Sequence, residues 1–304
     1  MWFNNTLIYR CTSTTSLNTH LQEEQLKPCP PHARFIYGWL PVMPDMFVHE
    51  IARAELFVLG KEERILPKNV IYRILNEKII DLETQRGYPV KRAERTQLAE
   101  ELEFQLLPKA FCVQKRLPAL FDQLHQRLII NTSSTTQASQ LLALLRKSVP
   151  NLRIEPLTTV QSLQSTLTAW VSTPETLPCA FSLASYCLLM APNDEKKRFQ
   201  CKGYELPAEE VNQLLMQGLQ VLEIELIWQD RIIFTLTHTL SFKKVRALDY
   251  LVEAFHDVRD LEEEQAQQDA SLALLVGEWR GLLNDLNKAL RFEQKAIEET
   301  AVLV

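Results

Sequence analysis

Four short arrangements in this chain hold residue types that do chemistry. His49-Glu50-Ile51-Ala52 opens like a zinc-binding His-Glu-x-x-His helix. Position 53 is Arg53, so one imidazole stands where two are needed. Cys29 and His32 have ligand spacing but no second pair, and read as loop residues. Ser241-Phe242-Lys243-Lys244 has the Ser-x-x-Lys spacing of a serine beside a lysine base, without the partner motifs of that chemistry. Asp194-Glu195-Lys196 has the form of a nuclease acidic-x-Lys pair, set in a turn with no acidic partner. There are seven glycines in 304 residues, with neither a Walker nor a dinucleotide fingerprint, so nucleotide hydrolysis and dinucleotide redox chemistry are not expected. The residues point to a protein without a catalytic centre, metal or cofactor.

The cations carry more. Arg86, Lys91, Arg92 and Arg95 gather within ten positions, against Glu94 alone. Lys109, Lys115 and Arg116 follow. Lys196, Lys197, Arg198 and Lys202 form a third group, and Lys243, Lys244 and Arg246 a fourth. Lysine and arginine hold phosphates without reading bases. No aromatic ladder of the kind that stacks single strands flanks them. Duplex phosphate binding is therefore one reading of the clusters; plain solvated faces are the other. The net charge of -5 argues against a uniformly basic coat, but a basic lining within an acidic protein is compatible with it.

The elements that would position these residues follow from periodicity. Residues 2–10, 33–42 and 55–65 read as strands, with a short helix over 16–26 between the first two. That order suggests α+β rather than a doubly wound sheet. Pro67 suits a first helical turn; Val70, Ile71, Ile74, Leu75, Ile79 and Leu82 then recur at helical spacing up to Gly87. A second helix runs from about Lys91 to Leu107, and so short a link makes the two an antiparallel hairpin with the first cation group at its tip. Residues 120–131 read as one strand, 137–147 as a helix, 152–154 as a strand and 158–171 as a helix. Two strands flank a turn at 192–195. A helix spans 205–217, and a three-stranded meander ends near Arg246. Acidic residues 257–264 precede an apolar helical stripe, Leu272, Leu275, Val276, Trp279, Leu283, Leu286 and Leu290, that suits core packing or a dimer contact. The expected partition is 1–66, an N-terminal α+β lobe; 67–116, the projecting hairpin; 117–175, a second α+β lobe; and 176–304, a C-terminal sheet with helices.

Met1 to Thr6 lacks a cationic start and an apolar core, so no secretory signal is expected, and no apolar run is long enough to cross a membrane. The six cysteines include no Cys-x-x-Cys pair and suit reduced thiols in the cytoplasm.

Nearly the whole chain resembles the recombination-associated RdgC family. The likeness rests on Trp2-Phe3-x-Asn5 with Tyr9-Arg10, Gly38-Trp39-x-Pro41, Lys61-Glu62-Glu63-Arg64-Ile65-Leu66-Pro67 and Leu106-Leu107-Pro108-Lys109-Ala110-Phe111. Leu142-x-Leu144-Leu145-Arg146-Lys147-Ser148 and Leu167-Thr168-x-Trp170-Val171 add to it. The resemblance implies a non-enzymatic, sequence-independent double-stranded DNA binder. Horseshoe-shaped subunits would pair into a homodimeric ring around duplex, associate with the nucleoid and restrain the RecA recombinase. It implies that Phe111 lies at one ring contact, where the arms of two subunits would meet. It also matches Lys91, Arg92, Lys109, Lys243 and Arg246 to the family's basic positions. Leu219, Glu223, Tyr88 and Pro89 stand where basic residues are usual. The acidity and those lost lysines keep a second class open: a module that contacts recombination or replication proteins directly, with weak DNA binding.

Overall fold

The computed structural model describes residues 2–12, 17–192, 194–203, 206 and 208–293. The protein is α+β and is organised around its first strand, β1 (Thr6–Thr12). One edge of β1 pairs with β6 (Arg127–Ile130). The other edge meets β12 (Ser241–Ala247) at Thr6 and Leu7, then β7 (Arg153–Pro156) from Tyr9 to Thr12. Through β1 the two ends of the chain share one antiparallel sheet. Adding β2 (Phe35–Leu40), β4 (Ala54–Arg64), β5 (Cys112–Asp122), β8 (Phe181–Ala191), β9 (Asp194–Lys202), β10 (Gln220–Trp228) and β11 (Ile232–Thr237), the order is β2-β4-β5-β6-β1-β12-β11-β10-β8-β9. The short β3 (Val48–Ile51) lies beside β4.

Alternate residues of the central strands enter different cores, as a two-residue side-chain period requires. Leu120 and Ile129 join one cluster. Ala119, Phe121, Leu128 and Ile130 join the other. Helix α4 (Thr135–Ser148) covers the second face with Leu141 and Leu145; the Ser134 hydroxyl caps it by accepting from Gln137 N. Helices α5 (Leu163–Ser172) and α8 (Glu264–Leu290) cover the first. At 27 residues α8 is about 40 Å long. Its apolar stripe is buried within the subunit, so the core reading holds for those seven positions. Gly281 lets α8 approach β10: a Cβ there would stand 2.8 Å from the Trp228 ring.

The expected single strand over 120–131 is instead a hairpin of β5 and β6. The chain turns at 123–126, with Gln126 at φ 53° and Leu124 N donating to Asp122 Oδ1 at 3.1 Å. The turn holds no glycine, asparagine or proline to announce it, so the apolar residues on either side read as one strand. The helix expected from 158 begins at Leu163, after the Ser162 cap, because Thr158 and Thr159 pair with Glu293 and Phe292. The helix expected over 16–26 is α1 (Asn18–Leu21) followed by a 3-10 turn over Gln22–Glu24. Among the elements not anticipated are β3, α7 (Asp249–Arg259) and the first half of β5, whose residues 112–116 fall within the segment expected as the hairpin. Ser16, Asn193, Glu205 and 294–304 lie outside the described residues, while α6 covers Glu209–Met216.

The hairpin forms as expected. Helix α2 (Lys68–Arg86) ends at Gly87, whose φ of 76° favours glycine, and α3 (Arg92–Leu106) returns. Ile71, Leu75, Ile79 and Leu102 form a cluster of their own, against which Leu66 and partly buried hairpin residues such as Ile74, Leu98 and Leu106 pack. Arg95 Nη2 donates to Asn76 Oδ1 at 2.8 Å, and Arg86 pairs with Glu94, so the two helices lie antiparallel.

Candidate nucleic-acid interface

The base of the hairpin is fixed by the end of β4. Strand alternation sends Lys61 and Glu63 to one face, and Glu62 and Arg64 to the other. Glu62 Oε2 accepts from Cys29 N at 3.0 Å. Arg64 donates from Nε to Pro30 O at 3.2 Å and from Nη2 to Cys29 O at 3.0 Å. Its Nη1 reaches Leu107 O and Ala110 O, both at 3.2 Å, and Pro108 O at 3.4 Å. One guanidinium thus gathers the 29–30 loop and the 107–110 turn. Ile65 N donates to Phe111 O at 2.8 Å. His32 stacks on Phe104 at 4.0 Å and Arg34 pairs with Glu103, tying that loop to α3. Cys29 Sγ contacts Ala33 O, so Cys29 and His32 are loop anchors.

On this braced turn Phe111 is 86% exposed. Packing in its own core is therefore not its role. Lys109, two residues earlier, is exposed with no side-chain partner among the described residues. On the other face of β4, Glu63 pairs with both Lys61 and Lys115; hydrogen bonds from Lys115 and Lys61 hold its carboxyl below the ordinary range. Arg116 Nη2 donates to Pro41 O at 3.3 Å.

The other cations divide by what they already hold. At the hairpin tip Lys91 and Arg92 are exposed without side-chain partners among the described residues, whereas Arg86 and Arg95 are engaged with Glu94 and Asn76. On β9, Lys196, Arg198 and Lys202 are exposed, and Lys197 lies 3.9 Å from Asp194. On β12, Lys243 Nζ donates to Glu223 at 2.7 Å and Arg246 lies 3.9 Å from Glu225. Lys244 stands 5.0 Å from the Tyr186 ring centre. Burial first, then Glu223 beside its hydroxyl, pushes the Tyr186 phenol up to about 12. The alternation of β10 had placed Glu223 and Glu225 on the polar face, but their pairing across β11 depends on strand order, which no local pattern gives.

His49 Nε2 lies 2.7 Å from Asp269 Oδ1, joining β3 to α8. Among the described residues no three His, Cys, Asp or Glu side chains converge as a cation site would require, and no helix is long and apolar enough to cross a membrane.

Fold and surface together define an α+β protein on one antiparallel sheet, bearing a helical hairpin with basic residues at its tip and an exposed aromatic at its base. The chain belongs to the RdgC family: the family model, described as "Putative exonuclease, RdgC", matches residues 1–293. It is 31% identical over 298 residues to the recombination-associated protein RdgC of Proteus mirabilis (strain HI4320), covering 95% of this chain and 98% of that one. The protein of that name from Sodalis glossinidius (strain morsitans) is 31% identical over 295 residues, covering 94% and 96%. The family description mentions an exonuclease; the relatives' name gives an association with recombination and no enzymatic activity.

Proposed function

We propose that this chain binds double-stranded DNA without sequence preference, as a homodimeric ring of horseshoe-shaped subunits, and restrains RecA-dependent recombination at the nucleoid. Phe111 carries the reading: a large aromatic ring held out to solvent on a turn that Arg64 braces at three carbonyls. An exposed ring of this kind forfeits its burial energy until a partner covers it. In this reading residues 67–116 are the arm that closes the ring, Lys91, Arg92 and Lys109 meet phosphate, and β9 adds further cations. The chain acts without metal, cofactor or catalysis. A closed ring slows dissociation, because either the contact opens or the duplex threads out.

The glutamate partners of Lys243 and Arg246 favour a second reading, an interaction module for recombination proteins. Anisotropy of a labelled duplex across a salt series separates the two. Six to ten phosphate contacts give a log–log slope of about -5 to -9. An interaction module leaves almost no duplex affinity to titrate. Duplex that is degraded on incubation with Mg²⁺ or Mn²⁺ would overturn the non-enzymatic part of the proposal.

A further inference from the structure

A row of charges crosses the centre of the sheet. Asp122 on β5 is paired in register with Arg127 on β6, Arg127 with Arg10 on β1, and Arg10 with Glu155 on β7. Directly paired residues point to the same face, so two arginines stand side by side in the middle of this row. That arrangement is unfavourable unless something lies between them. Asp122 does not resolve it. Asp122 is already occupied: Arg280 donates to Oδ2 from Nε at 3.1 Å and to Oδ1 from Nη2 at 2.6 Å, and His125 Nδ1 lies 2.7 Å from Oδ2. Arg127 is only 7% exposed, yet its one hydrogen-bond partner among the described residues is Asn284, at 3.0 Å. Burial lowers its basicity, with Asp122 acting in the opposite direction, as for a cation short of counter-charge. The Arg10 guanidinium has no hydrogen bond among the described residues.

Both arginines line one cavity of about 280 Å³. Leu124, Leu157 and Phe292 supply apolar wall, and Glu293 stands at its edge with Oε2 accepting from Thr158 Oγ1 at 2.8 Å. We propose that this cavity binds a compact phosphate monoester, with the phosphate held between Arg10 and Arg127. Two adjacent guanidinium forks suit a tetrahedral anion with three terminal oxygens better than a two-oxygen carboxylate. The Glu293 carboxylate is an acceptor for a hydroxyl on the ester. The volume lies near the lower end of ligand pockets, roughly 300 Å³, which favours a small ester. The site is independent of the duplex-binding reading.

The test is calorimetric titration of the full chain with inorganic phosphate, ribose 5-phosphate and ribose, with melting temperatures in parallel. Both phosphates are expected to bind, the ester more tightly, and ribose not at all. Arg10→Gln is expected to weaken both by about tenfold or more, the loss of one charge-assisted pair. It should leave the ligand-free melting temperature unchanged or higher, because a like-charge contact is removed. Arg127→Gln is buried enough to misfold, so Arg10→Gln carries the test. Glu293→Gln should weaken the ester without weakening inorganic phosphate. Competition with unlabelled duplex separates the sources: no displacement supports a free ester, and displacement would overturn it in favour of DNA phosphate. No heat with either phosphate, or equal binding by Arg10→Gln, would overturn the site.

Discussion

Arg64 Nη1 donates to the carbonyl of Leu107 at 3.2 Å, joining the end of β4 to the turn that presents Phe111. The same Nη1 also reaches Pro108 and Ala110, and Nη2 and Nε reach Cys29 and Pro30, so a single planar fork sets the relation of hairpin, loop and sheet. Replacing Arg64 by Ala should cost about 2 kcal/mol in urea unfolding, the scale of losing charge-assisted bonds to half-buried carbonyls. Arg64→Lys should recover less than half, because a point charge cannot span two loops. Full recovery by lysine would show that charge alone braces the turn.

Phe111 lies on that turn but contributes little to the subunit itself. Phe111→Ala should leave the urea midpoint within about 0.5 kcal/mol of the parent, as for other exposed positions. Under the ring proposal the same change, or Phe111→Arg, lowers the dimer fraction in sedimentation equilibrium and speeds release of duplex. Unchanged mass and unchanged release would remove Phe111 from the ring contact.

Much of this architecture was legible in the chain. The hairpin could be read from Pro67, Gly87 and the apolar spacing of α2, because local signals suffice for two helices joined by five residues. The meander was legible from the alternation in Leu222, Ile224, Leu226 and Trp228. The 123–126 turn was not, since it uses Gln126 in a left-handed conformation without glycine, asparagine or proline. Nor was the single sheet, because the pairing of β1 with β12 spans more than two hundred positions. The candidate site divides the same way. Clusters of lysine and arginine are visible in any sequence, but whether a cation is free depends on long-range partners such as Glu223 for Lys243. Glu62 and Arg64 could have been found from the alternation of Lys61-Glu62-Glu63-Arg64, which places them together on one face.

Gly38 has a steric reason in the Gly38-Trp39-x-Pro41 motif. A Cβ there would stand 2.3 Å from Leu26 Cα and 2.5 Å from Leu26 N, and Leu26 N donates to Trp39 O at 2.9 Å. Backbone cannot rotate away as a side chain can. Gly38→Ala should therefore destabilise by at least the roughly 1–3 kcal/mol typical of overpacking. Gly277→Ala, in α8 with nothing within 4 Å of its added carbon, should stabilise by about 0.5–1 kcal/mol. Similar effects at both positions would show that helix and strand propensity, not the Leu26 contact, decides the outcome.

Asp122 gives the protein an acid-sensitive joint between sheet and α8. Burial opposes its ionisation, but hydrogen bonds from Arg280 and His125 outweigh that and hold its carboxyl below the ordinary aspartate range. Folded Asp122 thus binds its proton less readily than the unfolded chain does. Its contribution is complete above the unfolded value of about 3.9 and is lost as pH falls through the lower folded value. Asp122→Asn should be destabilised at pH 7, leaving Arg280 without its carboxylate, and the gap to the parent should narrow as pH drops through that window. Chemical denaturation at stepped pH measures it; a gap that stays constant would mean that the carboxylate charge is not what Arg280 and His125 recognise.

The free and engaged cations should differ in what each adds to duplex binding. Lys91, Arg92 and Lys109 are exposed without side-chain partners among the described residues, so each can release a counterion when it meets phosphate. Replacing any of them with Gln should weaken binding alike on unrelated sequences and reduce the magnitude of the salt slope by about 1. Lys243 must first leave Glu223, and Arg246 stands near Glu225, so Lys243→Gln and Arg246→Gln should change the slope by much less. Glu223→Gln frees Lys243 and should strengthen binding while steepening the slope. A salt titration of these six proteins beside the parent makes the comparison. If the β12 variants lose as much slope as the hairpin variants, the glutamates yield to DNA and the bound surface extends across the sheet.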